Sequence, residues 1–229
     1  MNNICKQRFV KIAHRGASAY EPENTLLSFK RAMEMRADMI ELDVRLSCDG
    51  RIVVIHDKEL DRTTSGNGLV REKTLRELKE LDAGKGEKIP TLEEVVDLVR
   101  GRTGLVIELK EPGIEGRVVS LVRENDLVGE VFIVSIYQDV LQKVKELEPE
   151  AKTGLILFYS PDPISLAKEC FADVVAPFHN LVTRGLVEKA HENNLALITW
   201  TVDIPTRAEE LIIMGVDGIV TNKPDIFNL

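Results

Sequence analysis

Residues 39–56 read MIELDVRLSCDGRIVVIH, and this stretch holds most of the information about the fold. Two strand-like runs, residues 39–46 and 52–55, are separated by residues 47–51 alone. Such a connection is far too short for the crossover helix that parallel neighbours need. Asp49-Gly50 is a strong signal for a two-residue hairpin turn. We therefore predict that the second run folds back antiparallel on an extension of the first.

Short β-branched runs alternate with amphipathic stretches along the whole chain. Nine such runs occur, at residues 9–13, 39–46, 52–55, 105–109, 131–134, 155–158, 174–176, 195–200 and 219–220. From residue 104 on, strands begin about every 20 to 26 residues, the size of one strand-plus-helix unit. Without the hairpin strand, eight parallel strands remain, which predicts an α/β fold: a single TIM (β/α)8 barrel over residues 1–229. The alternative is an open doubly wound sheet, but its usual glycine-rich phosphate loop is missing after the first run.

Several helix starts can be read from local signals. Thr74 with Glu77, and Thr91 with Glu94, have the spacing of capping boxes. We also expect Asn24 to cap the helix that follows the first strand.

Composition excludes some classes of function. The 229 residues carry a formal net charge of -8, which argues against a nucleic-acid partner and against attachment to anionic lipid by charge. The longest hydrophobic run is residues 155–159, whereas a membrane span needs about 20 residues. Residues 1–6 lack the apolar core of a signal peptide, so we expect a cytoplasmic protein. Oligomeric state stays open.

The cysteines point to no special chemistry. Cys5, Cys48 and Cys170 are odd in number and far apart in the chain. We expect ordinary reduced thiols rather than a disulfide framework or a cysteine metal site.

The hairpin strand carries the first sign of chemistry. With a two-residue turn, Cys48 faces Arg51 and Asp43 lies opposite His56. Glu41 and Asp43 share one strand face, about 7 Å apart at the backbone. A solvated acidic face is the alternative, but the run around them reads as a buried strand, where two acids need a partner. Carboxylate oxygens are the ligands that Ca²⁺ and Mg²⁺ prefer, which favours a divalent-cation site.

Two further strand ends carry charged residues. Glu108 is a candidate third metal oxygen, and Lys110 beside it a candidate phosphate contact. A buried Glu-Lys pair is the alternative reading. At the end of the first run, His14 can move protons near neutral pH and Arg15 offers a planar fork to phosphate. Such residues at the carboxyl ends of barrel strands are typical of an active site. Together with His56 they favour metal-assisted attack on a phosphate ester.

Taken in order, these motifs resemble the signature of the glycerophosphodiester phosphodiesterases. The matching stretches are HRG at 14–16, PENT at 22–25, ELDV at 41–44, HD at 56–57 with Leu60 and RTT at 62–64, PTLEE at 90–94, ELK at 108–110, WTV at 200–202 and DGI at 217–219. The resemblance implies a TIM barrel with a small insertion at about 57–90, after the hairpin. It implies hydrolysis of glycerophosphodiesters, such as glycerophosphocholine or glycerophosphoethanolamine, to glycerol 3-phosphate and an alcohol, within lipid and glycerol metabolism.

The resemblance also implies site roles. Glu41, Asp43 and Glu108 would hold one divalent cation, Ca²⁺ or Mg²⁺, with Mn²⁺ also allowed. His14 and His56 would be the acid-base pair. Attack by the neighbouring glycerol hydroxyl, giving a cyclic phosphate, and direct attack by water both stay open.

Three more residues would contact the small-molecule substrate. Arg15 and Lys110 would bind the phosphate, and Trp200 would pack on the glycerol side of the pocket or simply fill the barrel rim. Two positions depart from the family pattern: Asp203 stands where Asn is common, and Ile136 where Phe is usual. We interpret these as affecting substrate fit, with the charge of Asp203 disfavouring an anionic head group.

Two functions other than glycerophosphodiester hydrolysis stay open. A related barrel phosphodiesterase acting on lysophospholipids should show an apolar rim or loop beside the site, and the polar, glycine-rich residues 63–72 give that little support. A catalytically silent barrel that only binds phosphodiesters would be indicated by a lost histidine, and both histidines are present.

Overall fold

The computed structural model describes residues 9–227, and its sheet is a closed barrel. The strands are β1 (Val10–Ala13), β2 (Met39–Leu46), β3 (Ile52–Val54), β4 (Gly104–Leu109), β5 (Val131–Ser135), β6 (Lys152–Leu157), β7 (Val174–Pro177), β8 (Ala196–Thr199) and β9 (Gly218–Thr221). All but β3 run parallel, and β1 closes the ring by pairing with both β2 and β9. The predicted TIM barrel is therefore confirmed, and each predicted run overlaps a strand.

Helices fill the connections between successive barrel strands. They are α1 (Leu26–Glu34), α2 (Leu75–Glu80), α3 (Leu92–Val99), α4 (Glu115–Glu124), α5 (Gln138–Leu147), α6 (Pro163–Glu169), α7 (Arg184–Glu192) and α8 (Pro205–Met214). Short 3₁₀ helices occur at Val70–Glu72, His179–Leu181 and Pro224–Phe227. Within residues 9–227, no helix has the length and apolarity needed to cross a bilayer.

The capping signals were right in two places and wrong in one. Both predicted capping boxes form, at the starts of α2 and α3. Asn24, however, does not cap α1; the hydroxyl of Thr25 accepts the hydrogen bond from the backbone N of Ser28 instead. Asn24 adopts a left-handed φ of 58°, a conformation that Asn tolerates better than most residues. Its side chain turns toward the barrel mouth, as described below.

The β2–β3 hairpin forms as predicted, but its register is shifted by one residue. Val44 pairs with Val54, and Ser47 rather than Cys48 faces Arg51, its backbone N donating to the Arg51 carbonyl. The loop is three residues long and ends at Gly50, whose φ is 77°, the usual arrangement of a turn followed by a left-handed glycine. Ile55, not His56, therefore lies opposite Asp43, because the Ile55 N donates to the Asp43 carbonyl.

The segment between β3 and α3 covers the predicted insertion and packs a small core of its own. Leu60, Leu78 and Ile89 are buried there against Val53 and Ile55 of the hairpin. The segment is thereby anchored beside the end of β2, where the predicted site begins.

The two cysteines within the described residues behave as expected of unpaired thiols. Cys48 is exposed, Cys170 is buried, and both are free. Cys5 lies outside the described residues.

Candidate active site

Three carboxylates meet at the carboxyl end of the barrel because β2 and β4 are parallel neighbours. Asp43 and Glu108 are paired in register across these strands, and Glu41 lies two residues earlier on the same face as Asp43. One oxygen of each carboxylate lies within 4.8 Å of the others. All three side chains are buried, Asp43 completely. The structure thus brings together the three predicted metal ligands.

Burial, mutual repulsion and the nearby cations shift the pKa values of these acids in different directions. Burial, then the charges of Asp43 and Glu108, raise the pKa of Glu41 well above its ordinary value. Burial and the Asp43 charge raise the pKa of Glu108 to about 7. For Asp43, burial acts in the same direction, but Arg15 and Lys110 outweigh it and hold its pKa below the ordinary value. The cluster therefore gains stability from added positive charge.

The donor set fits a hard divalent cation. Oδ1 of Asp43 is buried and accepts no hydrogen bond from any residue in 9–227; Nζ of Lys110 lies 3.5 Å from it. A buried carboxylate oxygen without a partner is costly. Oxygen-only ligands of this kind are those that Ca²⁺ and Mg²⁺ prefer.

Arg15 and Lys110 lie inside the acidic cluster. Nζ of Lys110 is 2.7 Å from Oε1 of Glu108, and Nε of Arg15 is 3.1 Å from Oδ2 of Asp43. The backbone N of Arg15 donates to Oε2 of Glu41 at 2.8 Å. Both residues also line the cavity, together with Glu41 and Glu108.

His14 is held by the end of the neighbouring strand β9. Its Nδ1 lies 2.7 Å from Oδ1 of Asn222, and its backbone N donates to the Thr221 carbonyl. Burial and the adjacent charge of Arg15 lower the pKa of the imidazole. The ring lines the cavity, and the hydrogen bond that its side chain makes within residues 9–227 is at Nδ1.

His56 is placed differently, next to a carboxylate. Its Nδ1 lies 2.6 Å from Oδ1 of Asp57, and Asp57 is itself paired with Arg62. Burial lowers the pKa of His56, and the charge of Asp43 and the hydrogen bond to Asp57 oppose that shift only in part. The His56 carbonyl accepts from Nε of Arg45 at 2.8 Å, which fixes the backbone at this point. The two histidines therefore differ in the partner of Nδ1, which is a carboxylate for His56 and an amide oxygen for His14.

The barrel mouth encloses a cavity of about 460 Å³ with two unlike halves. The β1, β2 and β4 side carries the charged residues described above. The side formed by β5 to β8 is apolar and is lined by Phe132, Val134, Ile136, Ile156, Phe158, Val174, Ala176, Ile198 and Trp200. The cavity can therefore hold a molecule with a charged end and an apolar end.

Trp200 belongs to the apolar half. Its Nε1 donates to the Ala176 carbonyl at 2.8 Å, and its ring meets those of Phe158 and Phe178 edge-on, with centroids 4.9 and 5.6 Å away. The residue both lines the cavity and packs the rim, so the two interpretations of Trp200 are compatible.

Sequence reasoning assigned no part in the site to three residues that hold it together. Asn24 donates to Oδ2 of Asp43 at 2.8 Å, and Glu23 bridges Arg15 and Arg62. Both lie in the PENT stretch, for which the sequence predicted only a helix start. Asn222 could have been found only by closing the barrel, since it reaches the site because β9 pairs with β1.

Comparisons with known proteins agree with this geometry. Residues 14–226 match the model of the glycerophosphoryl diester phosphodiesterase family. A glycerophosphodiester phosphodiesterase of Caldanaerobacter subterraneus subsp. tengcongensis is 43% identical, over 93% of this chain and 94% of its own length. An Agrobacterium tumefaciens enzyme of that name has a similar structure, with a TM-score of 0.88, 32% identity and coverage of 96% and 99%. An Oleispira antarctica phosphodiesterase, solved with its product sn-glycerol-3-phosphate, has a TM-score of 0.88, 29% identity and coverage of 96% and 95%.

Proposed function

Because this chain belongs to the glycerophosphoryl diester phosphodiesterase family, we propose that it hydrolyses glycerophosphodiesters to glycerol 3-phosphate and an alcohol. Glycerophosphocholine and glycerophosphoethanolamine are the first substrates to test. The observation that carries the proposal is the joining of two histidines, three carboxylates and two cationic side chains around one cavity.

The two histidines divide the proton transfers. Nε2 of His14 takes the proton of the attacking oxygen, from water or from the neighbouring glycerol hydroxyl, because burial and the adjacent charge of Arg15 lower the pKa of this imidazole and favour its basic form. His56 gives a proton to the oxygen of the departing alcohol, since Asp57 supports its charged form. The bond between phosphorus and that alcohol oxygen breaks as the new one forms, and in the cyclic route water then opens the ring.

Glu41, Asp43 and Glu108 would hold one divalent cation, which when bound supplies Lewis-acid stabilisation of the phosphoryl oxygens. Arg15 and Lys110 line the same cavity and orient the phosphate by charge. Arg15 is the more directional of the two, because its planar guanidinium matches two phosphate oxygens at once.

The test is release of glycerol 3-phosphate from both substrates, after chelation and after restoring Ca²⁺, Mg²⁺ or Mn²⁺. We expect cation-dependent release that His14→Ala and Glu41→Ala each reduce by at least about 100-fold. His191→Ala is the matched control, because His191 on α7 pairs with Asp217, the residue before β9, and neither residue lines the cavity. A folded protein that releases nothing with any of the three cations would overturn the proposal.

A second substrate class is favoured by the apolar half of the cavity. Phe158, Tyr159 and Ile204 are 68%, 76% and 63% exposed on loops that follow β6 and β8, and Ile136 and Tyr137 are partly exposed after β5. Exposed apolar side chains gathered around one opening indicate an apolar ligand. This is the rim expected of an enzyme acting on lysophospholipids, whose acyl chain would lie over these residues.

Comparing kcat/KM for monomeric lysophosphatidylcholine and glycerophosphocholine tests this second candidate. Phe158→Ser with Tyr159→Ser should lower the lysolipid value by about tenfold or more, through lost apolar burial, and leave the glycerophosphocholine value within about twofold. Phe171→Ser is the control, because Phe171 is equally exposed but follows α6 at the opposite end of the barrel. Equal losses on both substrates, or no cleavage of the lysolipid, would exclude it.

A further inference from the structure

The end of β9 connects His14 to a carboxylate on the loop after β8. Nδ2 of Asn222 donates to Oδ2 of Asp203 at 2.6 Å, and the Asn222 backbone N donates to Oδ1 of Asp203 at 2.8 Å. The Thr221 hydroxyl donates to the same Oδ1 at 3.0 Å. Both oxygens of Asp203 are therefore engaged by groups that also fix Asn222, and Asp203 is not among the residues that line the cavity.

This arrangement determines which way the Asn222 amide points. An ionised carboxylate can only accept hydrogen bonds, so the NH₂ group of Asn222 must face Asp203. The amide oxygen then faces Nδ1 of His14, 2.7 Å away, with the Ser18 hydroxyl 2.8 Å from the same oxygen. An amide oxygen also only accepts, so Nδ1 of His14 must carry the ring proton. Nε2 is left with its lone pair, as a base requires.

We propose that Asp203 is a positioning residue, which fixes the tautomer and orientation of His14 through the amide of Asn222. Its importance for catalysis rests on the proposed role of His14 as the base. The proposal gives Asp203 a function different from repelling an anionic head group, since its charge is directed at Asn222. It also explains why a carboxylate, rather than an amide, suits position 203 in this chain: position 222 is an amide.

A substitution at either residue 203 or residue 222 alone should therefore disrupt the hydrogen bonds that lead from Asp203 to His14. Exchanging the two side chains should restore them. In Asp203→Asn, an NH₂ group at position 203 favours a flipped Asn222, whose own NH₂ then faces His14 and selects the tautomer protonated at Nε2. In Asn222→Asp, a second carboxylate replaces the amide whose Nδ2 now lies 2.6 Å from Oδ2 of Asp203, and the two carboxylates repel each other. In the double variant Asp203→Asn/Asn222→Asp, the amide donates to the new carboxylate, which again accepts from Nδ1 of His14.

The experiment combines steady-state kinetics on glycerophosphocholine with ¹⁵N NMR of the histidine imidazoles, in which the resonances of His14 are assigned with His14→Gln. We expect Asp203→Asn to lower kcat by about 100-fold or more with KM changed less than about threefold, since positioning of the base acts on the chemical step. The His14 signal should change from the Nδ1-protonated to the Nε2-protonated pattern. The double variant should recover at least about a tenth of the wild-type kcat and the wild-type tautomer.

Asp225→Asn is the matched control, because it removes a nearby carboxylate that accepts from the Tyr20 hydroxyl and does not touch Asn222; it should keep wild-type kinetics. An unchanged tautomer in Asp203→Asn would overturn the proposal, as would a folded double variant no more active than the single ones. The NMR measurement needs no substrate, so it decides the role of Asp203 even if the wild-type protein fails to hydrolyse glycerophosphodiesters.

Discussion

The side-chain amide of Asn24 donates a hydrogen bond of 2.8 Å to Oδ2 of Asp43, the completely buried member of the acidic cluster. The backbone N of Asp43 lies 3.3 Å from Oδ1 of Asn24 and donates in return. Asn24 reaches this position with a φ of 58° in the loop before α1. The loop after β1 thus fixes the orientation of a proposed metal ligand on β2, a role that usually strengthens cation binding.

Removing this amide should weaken the cation site. We expect Asn24→Ala to lower the affinity for the activating cation by about 10- to 100-fold, the usual effect of losing a group that orients a ligand. Isothermal titration calorimetry of the chelated protein measures it directly.

A glycine variant separates orientation from backbone strain. Asn24→Gly tolerates the positive φ without a side chain, whereas Asn24→Ala does not. If the amide matters, both variants lose affinity equally and only Asn24→Ala loses additional thermal stability. An affinity in Asn24→Gly equal to that of the wild type would contradict the role.

The barrel and the acidic cluster could be predicted because both depend on local pattern. Alternation in β2 places Glu41 and Asp43 on one face, and the same alternation places Glu108 beside them once β4 is known to be parallel. The hairpin register could not be predicted, because it depends on the left-handed Gly50 closing a three-residue loop. The sequence pattern Asp-Gly is compatible with both loop lengths.

The supporting residues could not be predicted because they depend on closure of the barrel. Asn222 and His14 are 208 residues apart in the chain, and only the pairing of β9 with β1 brings them together. Similarly, Asn24 is a residue type that often caps helices. Its side chain instead donates to Asp43, because the fold brings that carboxylate within reach. Local signals identify which residues are polar at strand ends, whereas their hydrogen-bond partners follow from tertiary structure.

Cation binding should depend on pH through the raised pKa of Glu108. Because that pKa is about 7, Glu108 is partly protonated near neutral pH, and a cation must displace the proton to bind. Affinity should therefore rise as pH increases from about 6 to 8, by up to about tenfold per unit for each proton released. Calorimetry in two buffers of different ionisation enthalpy counts the protons, and an affinity independent of pH would contradict this assignment.

Glu41→Gln should stabilise the chelated protein while abolishing its response to cations. The pKa of Glu41 is raised in the folded state, so above the ordinary value of 4.5 the carboxyl opposes folding, and below it this effect disappears. The amide avoids the effect and can still accept the hydrogen bond from the Arg15 backbone N. We expect Tm at pH 8 to rise by about 2 to 4 °C or more.

Differential scanning fluorimetry at pH 8 and pH 4, with and without cation, checks this balance. The rise in Tm should shrink at pH 4, and the cation should stabilise the wild type but not Glu41→Gln. Glu150→Gln, an exposed surface substitution, should change neither quantity. A Glu41→Gln variant less stable than the wild type at pH 8 would show that the ionised carboxylate is already well compensated by Arg15 and Lys110.

The division of roles between the histidines should appear in the dependence on the leaving group. A nitrophenolate departs without protonation, whereas the alkoxide of choline or ethanolamine needs a proton. His56→Ala should therefore lower kcat for glycerophosphocholine by about 100-fold or more, and for the p-nitrophenyl ester of glycerol phosphate by less than about tenfold. His14→Ala should reduce both rates to a similar extent, because deprotonation of the attacking oxygen is needed with either leaving group.

Asp57→Asn should lower the same rates as His56→Ala, but by a smaller factor, since it weakens the protonated form of His56 without removing the imidazole. The opposite pattern, with His14→Ala selective for the alkyl substrate, would exchange the two assignments and leave the reaction class intact.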